Sequence, residues 1–124
     1  MPKKILVTDD SPTITAIIKR LLESAGYFVI TASDGQEALN KAKNEQPDLI
    51  ILDLMLPKID GYTVCATLKF DKNHSAIPII ILTARAGEAD KKLGSEVHAD
   101  AYMVKPFEPD TLLAKVKELT QLPQ

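Results

Sequence analysis

Pro47-Asp48-Leu49-Ile50-Ile51-Leu52-Asp53-Leu54-Met55-Leu56-Pro57 carries four consecutive aliphatic residues, Leu49 to Leu52, with no polar residue alternating among them. An unbroken run of that kind marks a strand covered on both faces, as in a parallel sheet with helices above and below. The run ends on a carboxylate, Asp53. In open α/β sheets ligands gather beyond the carboxyl ends of the strands, so an acid there is a candidate site residue.

The pattern repeats on either side. Upstream, Ile5-Leu6-Val7 ends on Thr8-Asp9-Asp10, and Ser11-Pro12 supplies an N-cap hydroxyl followed by a first-turn proline. Ile14, Ile17, Ile18, Leu21 and Leu22 recur at helical spacing and predict an apolar stripe of five buried side chains. Gly26 supplies the left-handed residue that stops this helix. Tyr27 to Ala32 predicts a second strand, and Asp34 with Glu37 forms a capping box for a helix carrying Ala38, Leu39 and Ala42, closed off by Pro47. Downstream, Asp60-Gly61 precedes a third helix with Val64, Cys65 and Leu68. Pro78 introduces Ile79-Ile80-Ile81-Leu82, which ends on Thr83. A fourth helix is expected at about Glu88 to Val97, thinly anchored by Ala89, Leu93 and Val97 and interrupted by Gly94. Ala101 to Val104 is a short fifth strand ending on Lys105-Pro106-Phe107. Pro109 and Asp110 start a last helix with Leu112, Leu113, Val116 and Leu119. Strand and helix alternate five times, which predicts an α/β fold with a doubly wound, five-stranded parallel sheet and right-handed crossovers.

Composition narrows the classes of function. The 124 residues fit a single domain over 1–124, with 45% hydrophobic and 26% charged residues as in an ordinary soluble protein. A net charge of −2 gives no electrostatic reason to expect nucleic acid or an anionic membrane as a partner. No apolar run approaches the ~20 residues that span a bilayer. The lone cysteine, Cys65, precludes an internal disulfide and suits a reducing cytoplasm.

Four strand ends carry polar groups of a particular kind: Asp9 and Asp10, Asp53, Thr83 and Lys105. In a parallel sheet these lie along one edge. Carboxylates held close together repel unless a cation sits among them, and an oxygen-only set with room for water suits Mg²⁺. A lysine and a hydroxyl beside such a set make a place for a phosphoryl group, since phosphoryl transfer demands mostly positioning and charge neutralisation. A carboxylate is also a competent nucleophile towards phosphorus.

With those residues in hand, the chain resembles the response regulator receiver domain, most closely the stand-alone chemotaxis and twitching-motility type. The matching pieces are Ile5 to Ser11, Ala32-Ser33-Asp34-Gly35-Gln36-Glu37-Ala38-Leu39, Pro47 to Pro57 with Asp60-Gly61, Leu82-Thr83-Ala84, and Lys105-Pro106-Phe107. The resemblance covers the whole chain. It implies a flavodoxin-like (βα)5 domain of strand order 2-1-3-4-5, with Asp53 as phosphoacceptor. Mg²⁺ would be held by Asp10, Asp53 and the Met55 carbonyl, with Asp9 helping through water. Thr83 and Lys105 would contact the phosphoryl oxygens, Tyr102 would change rotamer as Thr83 moves, and the Lys105-Pro106 bond would be cis. Met55 and Arg85 stand where the family tunes the lifetime of the phosphate. Three positions depart from or lie outside the pattern: His98 replaces a glycine ahead of the fifth strand, Thr8 stands where an aliphatic residue is usual, and His74 reads as a surface loop residue.

The expected function is therefore two-component signalling: a histidine kinase or phosphotransfer protein donates a phosphoryl group to Asp53. The fourth helix, fifth strand and last helix then change affinity for a downstream protein. The chain would promote only its own phosphorylation and dephosphorylation and would not be an enzyme on other substrates. It would act in the cytoplasm as a monomer or weak dimer, with no nucleic acid bound by this domain. A non-phosphorylated pseudo-receiver, and a receiver cut from a longer regulator, are the alternatives. A haloacid dehalogenase-type phosphatase wants a second acid where Met55 stands. A flavin binder wants a hydroxyl- and glycine-rich loop where Asp9-Asp10-Ser11-Pro12 stands.

Overall fold

The computed structural model describes residues 2–84 and 98–120. Its elements in chain order are β1 (Lys4–Thr8), α1 (Pro12–Ser24), β2 (Phe28–Ala32), α2 (Gly35–Glu45), β3 (Leu49–Leu52), α3 (Gly61–Lys69), β4 (Ile79–Thr83), β5 (Ala101–Val104) and a C-terminal helix (Pro109–Thr120). The strands form one sheet of order β2-β1-β3-β4-β5, every neighbouring pair parallel. The helix expected near Glu88 to Val97 lies outside the described residues, as does Arg85.

The aliphatic runs take the centre of the sheet because only there are both faces of a strand covered. All residues of β3 and β4 are buried, whereas β5, an edge strand, is half-buried throughout. Alternate side chains feed two separate cores. Val7, Ile51, Ile80 and Leu82 pack with Ile18 and Leu22 of α1 and with Leu112 and Val116 of the C-terminal helix. Leu6, Ile50, Leu52 and Ile79 pack on the opposite face with Leu39 of α2 and with Val64, Cys65 and Leu68 of α3. Burying the four β3 side chains contributes roughly 6–12 kcal/mol before chain entropy is subtracted.

The local start and stop signals act as their chemistry requires. The Ser11 side chain accepts from Ile14 N and Pro12 opens α1. Asp34 Oδ1 accepts from Glu37 N at 2.8 Å, and Glu37 reaches back to Ser33 N at 2.9 Å. That backbone bond, followed by the Lys41 ammonium, holds the Glu37 carboxyl below the usual carboxylate range. Helix α2 ends through Gln46 in the left-handed region (φ 50°), one residue before Pro47. His98 does adopt positive φ (66°), with its ring edge-on to Phe70 at 5.4 Å.

Two expectations are corrected. Ile17, placed in the buried stripe of α1, is 49% exposed. At about 100° per residue it sits roughly 120° around the helix from the midpoint of Ile18 and Leu22, beyond the arc the sheet covers. His74, read as a surface residue, is buried. A turn in which His74 N donates to Asp71 O folds the ring inward, and its Nδ1 lies 2.9 Å from Asp71 Oδ2.

Candidate functional site

The site lies where the strand order reverses. β1 and β3 are neighbours although α1, β2 and α2 separate them in sequence, so their helices leave on opposite faces and a crevice opens between the strand ends. Asp9 follows β1 directly and Asp53 follows β3 directly. Asp53 N donates to Thr8 O at 3.0 Å, which extends the ladder one residue past both strands and sets the two acids side by side. Both are buried, while Asp10, on the turn into α1, is exposed.

These three carboxylates each offer an oxygen within 4.8 Å of the others. Lys105 reaches them from the end of β5: its Nζ lies 2.6 Å from Asp9 Oδ2 and 3.3 Å from Asp53 Oδ2. Burial alone would push the Lys105 ammonium down, but the hydrogen bond and charge of Asp9 and the charge of Asp53 outweigh it, so its pKa is raised. Asp9 is further fixed by Ser11 N, which donates to its Oδ1 at 2.9 Å. Asp53 Oδ1 accepts from Met55 N at 3.3 Å, a side-chain-closed turn that aims the carboxylate back over the strand ends.

Thr83 is fully buried at the end of β4, and its carbonyl accepts from Lys105 N at 2.8 Å, tying the last two strand ends together. Tyr102 is half-buried in β5 and pairs in register with Ile81. The Lys105-Pro106 peptide bond is cis. Met55 is exposed at the mouth of the site. The structure thus brings Asp9, Asp10, Asp53 and Lys105 into one cluster, with Thr83, Met55 and Tyr102 on adjoining segments. A cleft of about 380 Å³ opens from Asp9 and Asp10 towards Lys19, Ser33 and Glu37. A larger apolar hollow of about 650 Å³ lies on the outer face of α1 near Ile17, Leu21 and Pro109, away from the acids.

The donor set fits a small hard cation. It consists of oxygens alone, spaced within reach of one ion and open to solvent on the Asp10 side. Asp9, Asp10 and Asp53 are the carboxylates whose oxygens could hold a metal ion together.

Residue type alone does not show how the loop after Asp53 is held. Gly61 N donates to Leu54 O at 2.9 Å, and a Cβ on Gly61 would stand 2.2 Å from Asp53 O, so only glycine lets α3 start against the site. The Asp60-Gly61 pair is the signal in the sequence, since an N-cap acid followed by glycine marks a helix start under close approach.

Residues 5–117 match the response regulator receiver domain family. The alkaline phosphatase synthesis transcriptional regulatory protein PhoP of Bacillus subtilis is 54% identical over 119 residues, covering 96% of this chain and 49% of that protein. The DNA-binding dual master transcriptional regulator RpaA of Synechocystis is 46% identical, again over 96% of this chain and 49% of its own length. The chain spans about half the length of these curated relatives. Among solved structures, a response regulator of Chloroflexus aurantiacus superposes with a TM-score of 0.93 at 37% identity, over 98% of this chain and 100% of that one. The chemotaxis protein CheY4 of Vibrio cholerae does so with 0.89 at 35%, over 96% and 99%. The narrower resemblance to the stand-alone chemotaxis and twitching type is not singled out, because these curated relatives are transcriptional regulators. Among the described residues no helix is long and apolar enough to cross a membrane. The chain belongs to the response regulator receiver domain family.

Proposed function

We propose that this domain receives a phosphoryl group on Asp53 from the phosphohistidine of a histidine kinase or phosphotransfer protein. The observation that carries the reading is the convergence of Asp9, Asp53 and Lys105, with Nζ 2.6 and 3.3 Å from the two carboxylates. An Asp53 oxygen attacks phosphorus, the phosphorus–nitrogen bond of the donor breaks, and the imidazole leaves and takes up a proton. Lys105 neutralises the incoming charge, exchanging part of its bond to Asp53 for one to a phosphoryl oxygen. Thr83 donates its hydroxyl to another oxygen, and Tyr102 follows it. Asp10, Asp53 and the Met55 carbonyl, with Asp9 through water, would hold Mg²⁺, which would supply the remaining charge neutralisation. The added charge of roughly −1.5 to −2 biases β5 and the C-terminal helix towards an output-competent arrangement. Residues 1–124 act as one receiver unit that catalyses only its own phosphorylation and dephosphorylation, in the cytoplasm, without binding nucleic acid or membrane itself and as a monomer or weak dimer.

Incubation with acetyl phosphate and Mg²⁺ followed by intact mass tests this. Wild type is expected to gain one phosphoryl group, about 80 Da, in a Mg²⁺-dependent manner, and Asp53→Asn is expected to gain none. An adduct that survives Asp53→Asn overturns the assignment, and none in wild type favours the pseudo-receiver.

On output, identities of 54% and 46% to transcriptional regulators support a receiver that works as part of a longer DNA-binding regulator. The stand-alone type is the second reading, favoured by the structural likeness to a chemotaxis protein. Mapping the complete coding region decides between them: a DNA-binding segment in frame supports the first, its absence the second.

A further inference from the structure

The loop between β3 and α3 contains a strained turn directly downstream of the phosphoacceptor. Ile59 N donates to Pro57 O at 2.8 Å across Lys58, which is held at φ 69°. A three-residue turn with positive φ at its centre is rare and unfavourable for a residue with a side chain, and it persists only where its surroundings over-determine it. Here those surroundings are the N-terminus of α2. Gly35 N donates to the same Pro57 carbonyl at 3.2 Å. Asp34 Oδ2 lies 3.5 Å from Lys58 Nζ. Gly35 also sits so close that a Cβ on it would stand 1.9 Å from Ile59 O. At the other end of the loop, Gly61 abuts Asp53 O. The residues between have little room to move, and Met55, two before Pro57, bonds the Asp53 carboxylate through its N–H.

We infer that the start of α2, Gly35 with Asp34, is a positioning clamp for the reaction at Asp53: it holds the Lys58 turn and thereby the placement of Met55 and the Asp53 side chain. The inference rests on Asp53 being the phosphoacceptor. No side chain of the clamp touches the reacting atoms. Gly35 acts through Pro57 and Ile59, so it is a positioning residue. Displacing a reacting group by about 1 Å can cost up to 10²-fold in rate, and a methyl 1.9 Å from Ile59 O demands movement of that order.

The test uses three variants. Gly35→Ala forces the turn away. Lys58→Val leaves Gly35 intact but disfavours φ 69° through its β-branch, at a side chain exposed enough to leave folding intact. Gly26→Ala is the control: at φ 97° with nothing within 4 Å of the added methyl, it strains the backbone far from the site. The readouts are the rate of Asp53 phosphorylation by acetyl phosphate, the Met55 amide shift on Mg²⁺ titration without phosphodonor, and the thermal midpoint. Gly35→Ala and Lys58→Val are expected to slow phosphorylation about tenfold or more and to weaken the Mg²⁺ response of Met55. Gly26→Ala is expected to lower the midpoint and leave both unchanged. Wild-type rates and shifts in Lys58→Val, or an equal loss in Gly26→Ala, overturn the clamp. If wild type itself forms no adduct, the phosphoacceptor reading fails first, whereas a normal wild-type adduct with unchanged variants removes the clamp alone.

Discussion

Replacing Thr8 by valine exchanges one hydroxyl for one methyl at the end of β1. Thr8 is 1% exposed, and its Oγ1 is buried with no hydrogen-bond partner among the described residues. An unpartnered buried hydroxyl costs about 1–3 kcal/mol relative to water. Valine is nearly isosteric and equally β-branched, so it introduces neither a cavity nor new side-chain entropy. Its extra methyl adds up to about 0.8 kcal/mol of burial. Allowing for imperfect fit, Thr8→Val is expected to stabilise the domain by about 1–2 kcal/mol. That corresponds to a rise of roughly 4–8 °C in thermal midpoint for a chain of this size. Urea unfolding followed by circular dichroism measures it, and the m-value is expected to stay constant because the surface exposed is the same. The Thr8 carbonyl still accepts from Asp53 N, so the ladder supporting the site is kept. A midpoint that is unchanged or lower refutes the reasoning, since it means the hydroxyl is bonded in solution and that its loss costs as much as the burial gains.

Three further outcomes follow from the site and the core. The pKa of Lys105 is raised in the folded state. The associated stability is therefore complete below the unfolded value of roughly 10.4 and is lost as pH rises through the folded one. Alkaline unfolding of wild type is expected to show this loss and Lys105→Met to lack it; superimposable pH profiles would count against the ion pairs. The Cys65 thiol is fully buried and pushed up to about 12 by burial. Iodoacetamide at pH 8 should leave it unmodified until urea unfolds the chain, and alkylation of the native protein would contradict its placement in the α3 core. Met55, exposed beside Asp53, is expected to shield the acyl phosphate from water. Met55→Asn should shorten the phosphate half-life severalfold, and an equal half-life removes that role.

The central strands and the chemistry of their ends were determined by the sequence alone. Runs such as Leu49 to Leu52 and Ile79 to Leu82 have too many consecutive aliphatics for any position but the middle of a covered sheet, and the polar residue ending each run lands on the functional edge. Caps read the same way, because Ser11 and Asp34 act on backbone amides three residues away. What tertiary structure decided depends on distant neighbours. Lys105 meets Asp9 across 96 positions only because β1 and β5 belong to one sheet. Ile17 is solvent-exposed because periodicity says which arc of a helix is apolar, not how much of it a neighbour covers, and His74 is buried because the turn from Asp71 folds its ring inward. Gly35 in sequence is a flexible residue after a cap; only the fold sets its missing side chain against Ile59 O, where a single methyl would move the loop behind Asp53.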